Sequence, residues 1–173
     1  AAELAQSRAE IAEKAAEAAQ AAAEAANAEA AANAAKTAAD AAQTAADKVL
    51  GRYRMTSIVT DDTAIVEVTK TDAGTYRGRL VWLNHPTNAD GTVRRDEKNK
   101  DPKLRTRTYD KVYLCWGLAF DGEEWTKGKL YDPFSGNTFS IKLKWAKNHR
   151  DLEARYYEGV PAVGLTRTWV RVK

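Results

Sequence analysis

Hydrophobic and polar positions follow two different rhythms along this chain. Over the first fifty residues the apolar positions recur at helical spacing. Leu4, Ile11, Ala18, Ala25, Ala32, Ala39 and Ala46 stand seven apart, and Ser7, Lys14, Ala21, Ala28, Ala35, Ala42 and Val49 follow three later. That spacing is a heptad seam whose a and d positions are mostly alanine. From Arg52 onward the rhythm shortens to alternation, as in Ile141, Leu143 and Trp145 set against Lys142 and Lys144. Period two is the signature of strands with one dry face. The pattern predicts a helix over 1–50 and strands near 53–59, 64–70, 75–83, 111–119, 124–131, 138–146, 152–157 and 166–172.

Local chemistry supports both predictions. Residues 1–50 hold 26 alanines and no Gly, Pro or aromatic residue, so nothing interrupts the helix. It would run roughly 75 Å at 1.5 Å per residue. Its polar stripe moves sideways near Glu29, as a stutter in a coiled coil would. Alanine knobs bury little each but allow close approach of backbones. The segment therefore reads as a stalk that self-associates or packs on a helical partner. Leu4, Ile11, Ala18, Ala21, Ala25, Ala28, Ala32, Ala35, Ala39, Ala42 and Val49 form the predicted contact seam, and a solitary spacer is the blander reading. Gly51 suits the end of the helix.

In 51–173 the strands are separated by turn signals: Asp61-Asp62, Asp72-Ala73-Gly74, Asp121-Gly122, and Pro133-Phe134-Ser135-Gly136. Eight short strands, mostly hairpin-linked, predict a small up-and-down barrel or a sandwich. The one long connection, Asn84 to Asp110, is highly charged, and a connection of that length is either functional or mobile; it could lie across a barrel mouth. The predicted fold class is thus α+β in segregated parts, with domains 1–50 and 51–173.

Charge divides the same way: four Lys/Arg against eight Asp/Glu in 1–50, and 23 against 16 afterwards. The basic residues of the second part are interrupted by acidic ones and accompany no RNA-binding aromatic signature, which argues against nucleic acid. No run of 18 apolar residues offers a membrane span, and no signal peptide is read at the start. The lone Cys115 allows no internal disulfide and no cysteine zinc site. His85 and His149 read as solvated, and no Ser-His-Asp set, phosphate loop or dinucleotide fingerprint is present. No metal or cofactor is expected.

The candidate ligand residues are Trp82, Asp96, Asn99, Arg105 and Tyr131. Asp96 and Asn99 could present oxygens and Arg105 could hold an anion, although Asx residues at such positions also cap turns. The tryptophans, Trp82 among them, could line a pocket for an apolar ligand or simply fill the core. Asp132 beside Pro133 and Ser135-Gly136 reads as a turn former.

Several stretches are distinctive in order and spacing: Tyr76-Arg77-Gly78-Arg79-Leu80-Val81-Trp82-Leu83, Asp90-Gly91, and Arg95-Asp96-Glu97-Lys98-Asn99. So are Trp125 through Pro133, Ser135-Gly136, and Gly164-Leu165-Thr166-Arg167-Thr168-Trp169. Together they resemble a bacterial family known as domain of unknown function number 2147, over essentially all of 51–173. The resemblance implies a lipocalin-like or fatty-acid-binding-protein-like antiparallel barrel, usually from exported proteins, and hence a periplasmic or envelope location. It implies no established activity. Tyr53 replaces a usual Trp, Lys100 a usual Pro, and Tyr156-Tyr157 a more glycine-like stretch. The expected protein is a non-enzymatic envelope protein with an oligomerising stalk and a binding head. A carrier of a small apolar ligand is the alternative, followed by an enzyme using the Asp96 loop.

Overall fold

The computed structural model describes residues 2–173. Helix α1 spans Ala2–Asp47 without a break, and Ala46 alone among its side chains is buried. No helix among the described residues is long and apolar enough to cross a membrane. The chain divides into two compact units, the first reaching Ala45 and the second comprising Ala46–Lys173. Val49, assigned by the heptad count to the contact seam, lies beyond the end of α1 and is fully buried in the second unit. Its role is core packing, because the helix stops two residues before it.

Eight antiparallel strands close into an up-and-down barrel in sequence order, which settles barrel over sandwich. They are β1 Gly51–Thr56, β2 Thr63–Lys70, β3 Tyr76–Leu83, β4 Tyr113–Phe120, β5 Trp125–Asp132, β6 Asn137–Trp145, β7 Leu152–Tyr157 and β8 Gly164–Arg171. Alternation sends Tyr53 and Met55, Ala64, Val66 and Val68, and Ile141 and Leu143 inward. Closure leaves few free strand edges.

The barrel is filled. Trp125, Trp169, Tyr53, Tyr76, Leu118 and Leu130 are fully buried, and the Trp169 indole donates to the Tyr156 hydroxyl at 2.6 Å. Gly128 is small for a packing reason: a Cβ there would stand 2.5 Å from Leu118 Cδ2. Between Met55, Leu80, Leu130, Phe134 and Tyr156 remains a void of about 10 Å³. That is room for no more than one water.

Polar contacts tie the floor of the barrel to the residues just before β1. The Asp47 carboxylate accepts from the Tyr76 hydroxyl at 2.6 Å and lies 3.2 Å from Lys70 Nζ. Tyr53 donates to the Val49 carbonyl at 2.9 Å and accepts from Arg171 at 2.6 Å. Arg171 also donates to the carbonyls of Lys48 and Leu50, supplying partners that carbonyls at a helix end lack. Tyrosine at position 53 thus contributes a hydroxyl that tryptophan would not. Burial raises that phenol to about 12, with Arg171 working the other way, so it stays protonated as a donor.

The long β3–β4 connection lies over the opposite end. Bridges Thr87↔Val93 and Arg95↔Thr108 and two one-turn 3-10 helices, Pro102–Leu104 and Tyr109–Lys111, give it internal structure. Tyr109 meets Phe134 of the β5–β6 turn edge-on at 5.4 Å, and Arg94 lies 5.1 Å over Phe134.

Candidate functional site

Two clusters involve the connection, and they differ in kind. In the first, Asp96 is fully buried and its carboxylate is saturated. Oδ1 accepts from the Tyr131 hydroxyl at 2.5 Å; Oδ2 accepts from Asn99 Nδ2 at 2.7 Å and from Arg107 Nε at 2.9 Å and Nη2 at 2.8 Å. Burial, then the bond to Asp96, push the Tyr131 phenol far above its ordinary range, so it remains a donor. Arg105 donates through Nε to the Asn99 carbonyl at 2.7 Å. Asn99 Oδ1 receives the Asp101 amide, and Asp101 in turn caps Lys103, in the manner of Asx turns.

The structure therefore brings four of the five candidate residues together, Asp96, Asn99, Arg105 and Tyr131. The polar groups of Asp96, Asn99 and Tyr131 are spent on each other, on Arg107 and on backbone, while exposed Arg105 uses only its Nε there. The cluster fastens the connection to the outer face of β5. A saturated, buried carboxylate has no oxygen left to offer a ligand. Arg107, which makes the only ion pair to Asp96 among the described residues, carried no distinguishing signal in a loop already rich in Arg and Lys.

A second tether lies nearer the rim. Asp62 in the β1–β2 turn receives Arg94 Nη1 at 3.1 Å and sits 2.8 Å from His85 Nδ1. His85, expected to be solvated only, is thus partnered. Burial opposes the Asp62 charge, but donors from His85, Arg94 and Thr60 outweigh it and hold the carboxyl below its usual range. Asp132 is buried and accepts from the Phe134 amide and the Ser135 amide and hydroxyl, as the turn reading expects. Gly136 closes that turn at φ +74°, where a Cβ would lie 2.1 Å from the Lys98 carbonyl oxygen. Only glycine lets the connection approach so closely.

Trp82, the fifth candidate, stands apart from the Asp96 cluster. A β-bulge puts it outside: Ile65 pairs with Trp82 and the next residue, Val66, pairs with Leu80, which leaves Val81 as the extra residue. Strict alternation from Tyr76, Gly78 and Leu80 would have sent Trp82 into the barrel. Instead Leu83 is buried and Trp82 is 50% exposed. Outside, it lines a groove of about 250 Å³ with Leu80, Val81, Leu83, Pro86 and Val93, edged by Arg94, Thr108, Tyr109 and Asp110. Leu80 borders both this groove and the interior void. Asn99 and Tyr131 edge a different, more polar groove of about 270 Å³ with Lys100, Arg107, Tyr113 and Trp116.

The Cys115 thiol is fully buried, and burial lifts it to about 12, which leaves it protonated and unreactive at neutral pH. No group of three or more His, Cys, Asp or Glu able to hold a metal ion occurs among the described residues.

A closed eight-stranded antiparallel barrel with one long connection folded over its mouth defines a lipocalin-like protein. The chain belongs to the bacterial family described as "Uncharacterized protein conserved in bacteria (DUF2147)", which matches residues 51–171. Helix α1 lies outside the match. Among solved structures, the barrel is similar to protein HP1028 from the human pathogen Helicobacter pylori, described as belonging to the lipocalin family. The identity is 25%, the TM-score 0.61, and the match covers 72% of this chain and 83% of that one. No curated protein matches the chain.

Proposed function

We propose that this chain is a binding protein for a small apolar ligand, taken in the groove beside Trp82 rather than inside the barrel. The observation that carries this reading is the contrast in space. The void between Met55, Leu80, Leu130 and Tyr156 measures about 10 Å³, whereas the groove offers about 250 Å³ walled by Leu80, Val81, Trp82, Leu83, Pro86 and Val93. Ligand sites are concave, mostly apolar and edged by a few polar groups, and Arg94 and Asp110 fill that last role. The similarity to a lipocalin-family barrel supports binding over catalysis. Titration with 1-anilinonaphthalene-8-sulfonate, whose rings suit the wall and whose sulfonate suits Arg94, tests it. Trp82→Ala is expected to weaken binding by about tenfold, equivalent to about 1.4 kcal/mol. Unchanged affinity in that variant, with its circular dichroism unaltered, would remove the groove as the site.

The helix supports a second, separable reading as a self-associating stalk. Leu4 and Ile11, its two large seam residues, are 63% and 65% exposed. Large apolar side chains at a and d positions gain most by packing on a partner helix. Sedimentation of the full chain should show a concentration-dependent oligomer that the double change Leu4→Glu, Ile11→Glu abolishes. A chain that stays monomeric at all concentrations would discard this reading and leave a spacer.

A further inference from the structure

The barrel closes between β1 and β8 over a short seam. Only Tyr53↔Arg171 and Arg54↔Val170 pair there, followed by the Val172 amide on the Arg52 carbonyl at 2.8 Å. On its other side β8 pairs with β7 at six positions, from Leu152↔Trp169 to Tyr157↔Gly164. Backbone N–H and C=O groups of a strand point to alternate sides at successive residues. Because the Val172 amide faces β1, the backbone groups of Val170, Thr168, Thr166 and Gly164 face that way too. Val170 meets Arg54; the other three pair with no residue of β1. Every residue from Gly164 to Thr168 is exposed, although β8 belongs to a closed barrel.

The side chains around this open edge are of two kinds. Val160, Val163 and Leu165 are apolar and exposed at 59%, 72% and 39%. Arg54 and Arg167 are exposed, and neither guanidinium has an ion-pair or hydrogen-bond partner among the described residues. Several other arginines of the barrel are engaged, Arg52 with Glu67, Arg107 with Asp96 and Arg155 with the carbonyls of Pro161 and Ala162.

We infer that the open edge of β8 is a docking site for an extended acidic peptide, which adds as a strand along Gly164–Thr168. The unpaired backbone groups call for a partner with donors and acceptors at strand spacing, and only a peptide backbone carries those. Val163, Leu165 and Arg167 stand two residues apart and share one face, so on that face of the added strand apolar side chains meet Val163 and Leu165 and a carboxylate meets Arg167, while a carboxylate on the other face meets Arg54. A second copy of this chain fits less well. Two such edges side by side bring unpaired guanidiniums of like charge together, the arrangement by which edges resist self-pairing.

The probe is a short fluorescein-labelled peptide repeating Val-Val-Glu-Glu, which puts both kinds of side chain on each face, read by anisotropy against the full chain. Two controls accompany it, the same peptide with Lys for Glu (the Lys–Val peptide) and the Glu–Val peptide N-methylated at alternate residues. Binding of the first alone is the expected result. Thr166→Pro removes an edge amide at a position where proline is tolerated, and should weaken binding by roughly tenfold. Arg167→Glu, which leaves the backbone edge intact, should shift preference towards the Lys–Val peptide and serves if the proline variant does not fold. The inference is overturned if no peptide binds or if N-methylation makes no difference. It is equally overturned if the chain self-associates through this edge and Thr166→Pro abolishes that association.

Discussion

Asp96→Ala is expected to cost the second unit about 3–5 kcal/mol in urea denaturation, the range for breaking a buried ion pair from one side. The substitution removes the acceptor of three side chains at once. Tyr131, which is 7% exposed, loses its partner, and the Arg107 guanidinium is left against the barrel wall without a counter-charge. Asn99 loses the bond that shapes its turn. Two companions identify the cause. Tyr131→Phe removes one neutral donor to a charged acceptor and should cost about 1.5–3 kcal/mol. The double change Asp96→Ala, Arg107→Met should be less destabilising than Asp96→Ala alone, because the orphaned charge is gone. A single variant as stable as the parent would mean that the cluster does not fasten the connection. Hydrogen exchange should also rise first in 84–112, since that segment loses its main anchor.

Trp125→Ala is the other large effect, at about 3–5 kcal/mol. Its side chain is fully buried, 4.9 Å from the Phe120 ring and 5.5 Å from that of Trp145, and strands hydrogen-bonded around a closed barrel have little freedom to collapse into the space. Its indole N–H has no acceptor, so the loss is almost wholly one of packing. Trp125→Phe, which removes that orphan donor along with part of the ring, should cost markedly less. The cavity left by alanine is lined by apolar groups and is expected to bind benzene, as dry engineered cavities do. The parent interior, where the void beside Leu80 is about 10 Å³, should not, so any benzene that the parent takes in the Trp82 groove should be lost in Trp82→Ala. Benzene binding of equal strength in both proteins, each also carrying Trp82→Ala, would show that the barrel is not closed to ligands by its own side chains.

These expectations place the two polar and apolar clusters in different roles, and the sequence pointed to their members without separating them. Asp96, Asn99, Arg105 and Tyr131 were recognisable as chemistry-bearing residues. That Asp96 and Tyr131 meet depends on a loop folding back across 35 residues, which no local pattern encodes. Arg107 was one cation among many in a charged segment. Trp82 was legible as a large aromatic beside a turn, and alternation alone assigns it to the interior.

What the chain's own pattern determined is the list of elements. An unbroken alanine-rich stretch without Gly or Pro favours helix, and period-two alternation between Gly, Pro and Asp turn signals marks eight strands whose ends agree with those observed to within about three residues. The family resemblance then chose the barrel. Tertiary structure decided everything that depends on which residues become neighbours. It turned Trp82 outward through one bulged residue, Val81, and took Val49 from the helical seam into the core. It also spent the carboxylate of Asp96 internally and left β8 half unpaired at the closing seam. The physical reason is the same in each case. Propensity and periodicity act within a few residues, while register shifts, loop returns and barrel closure are set by contacts between residues far apart in the chain.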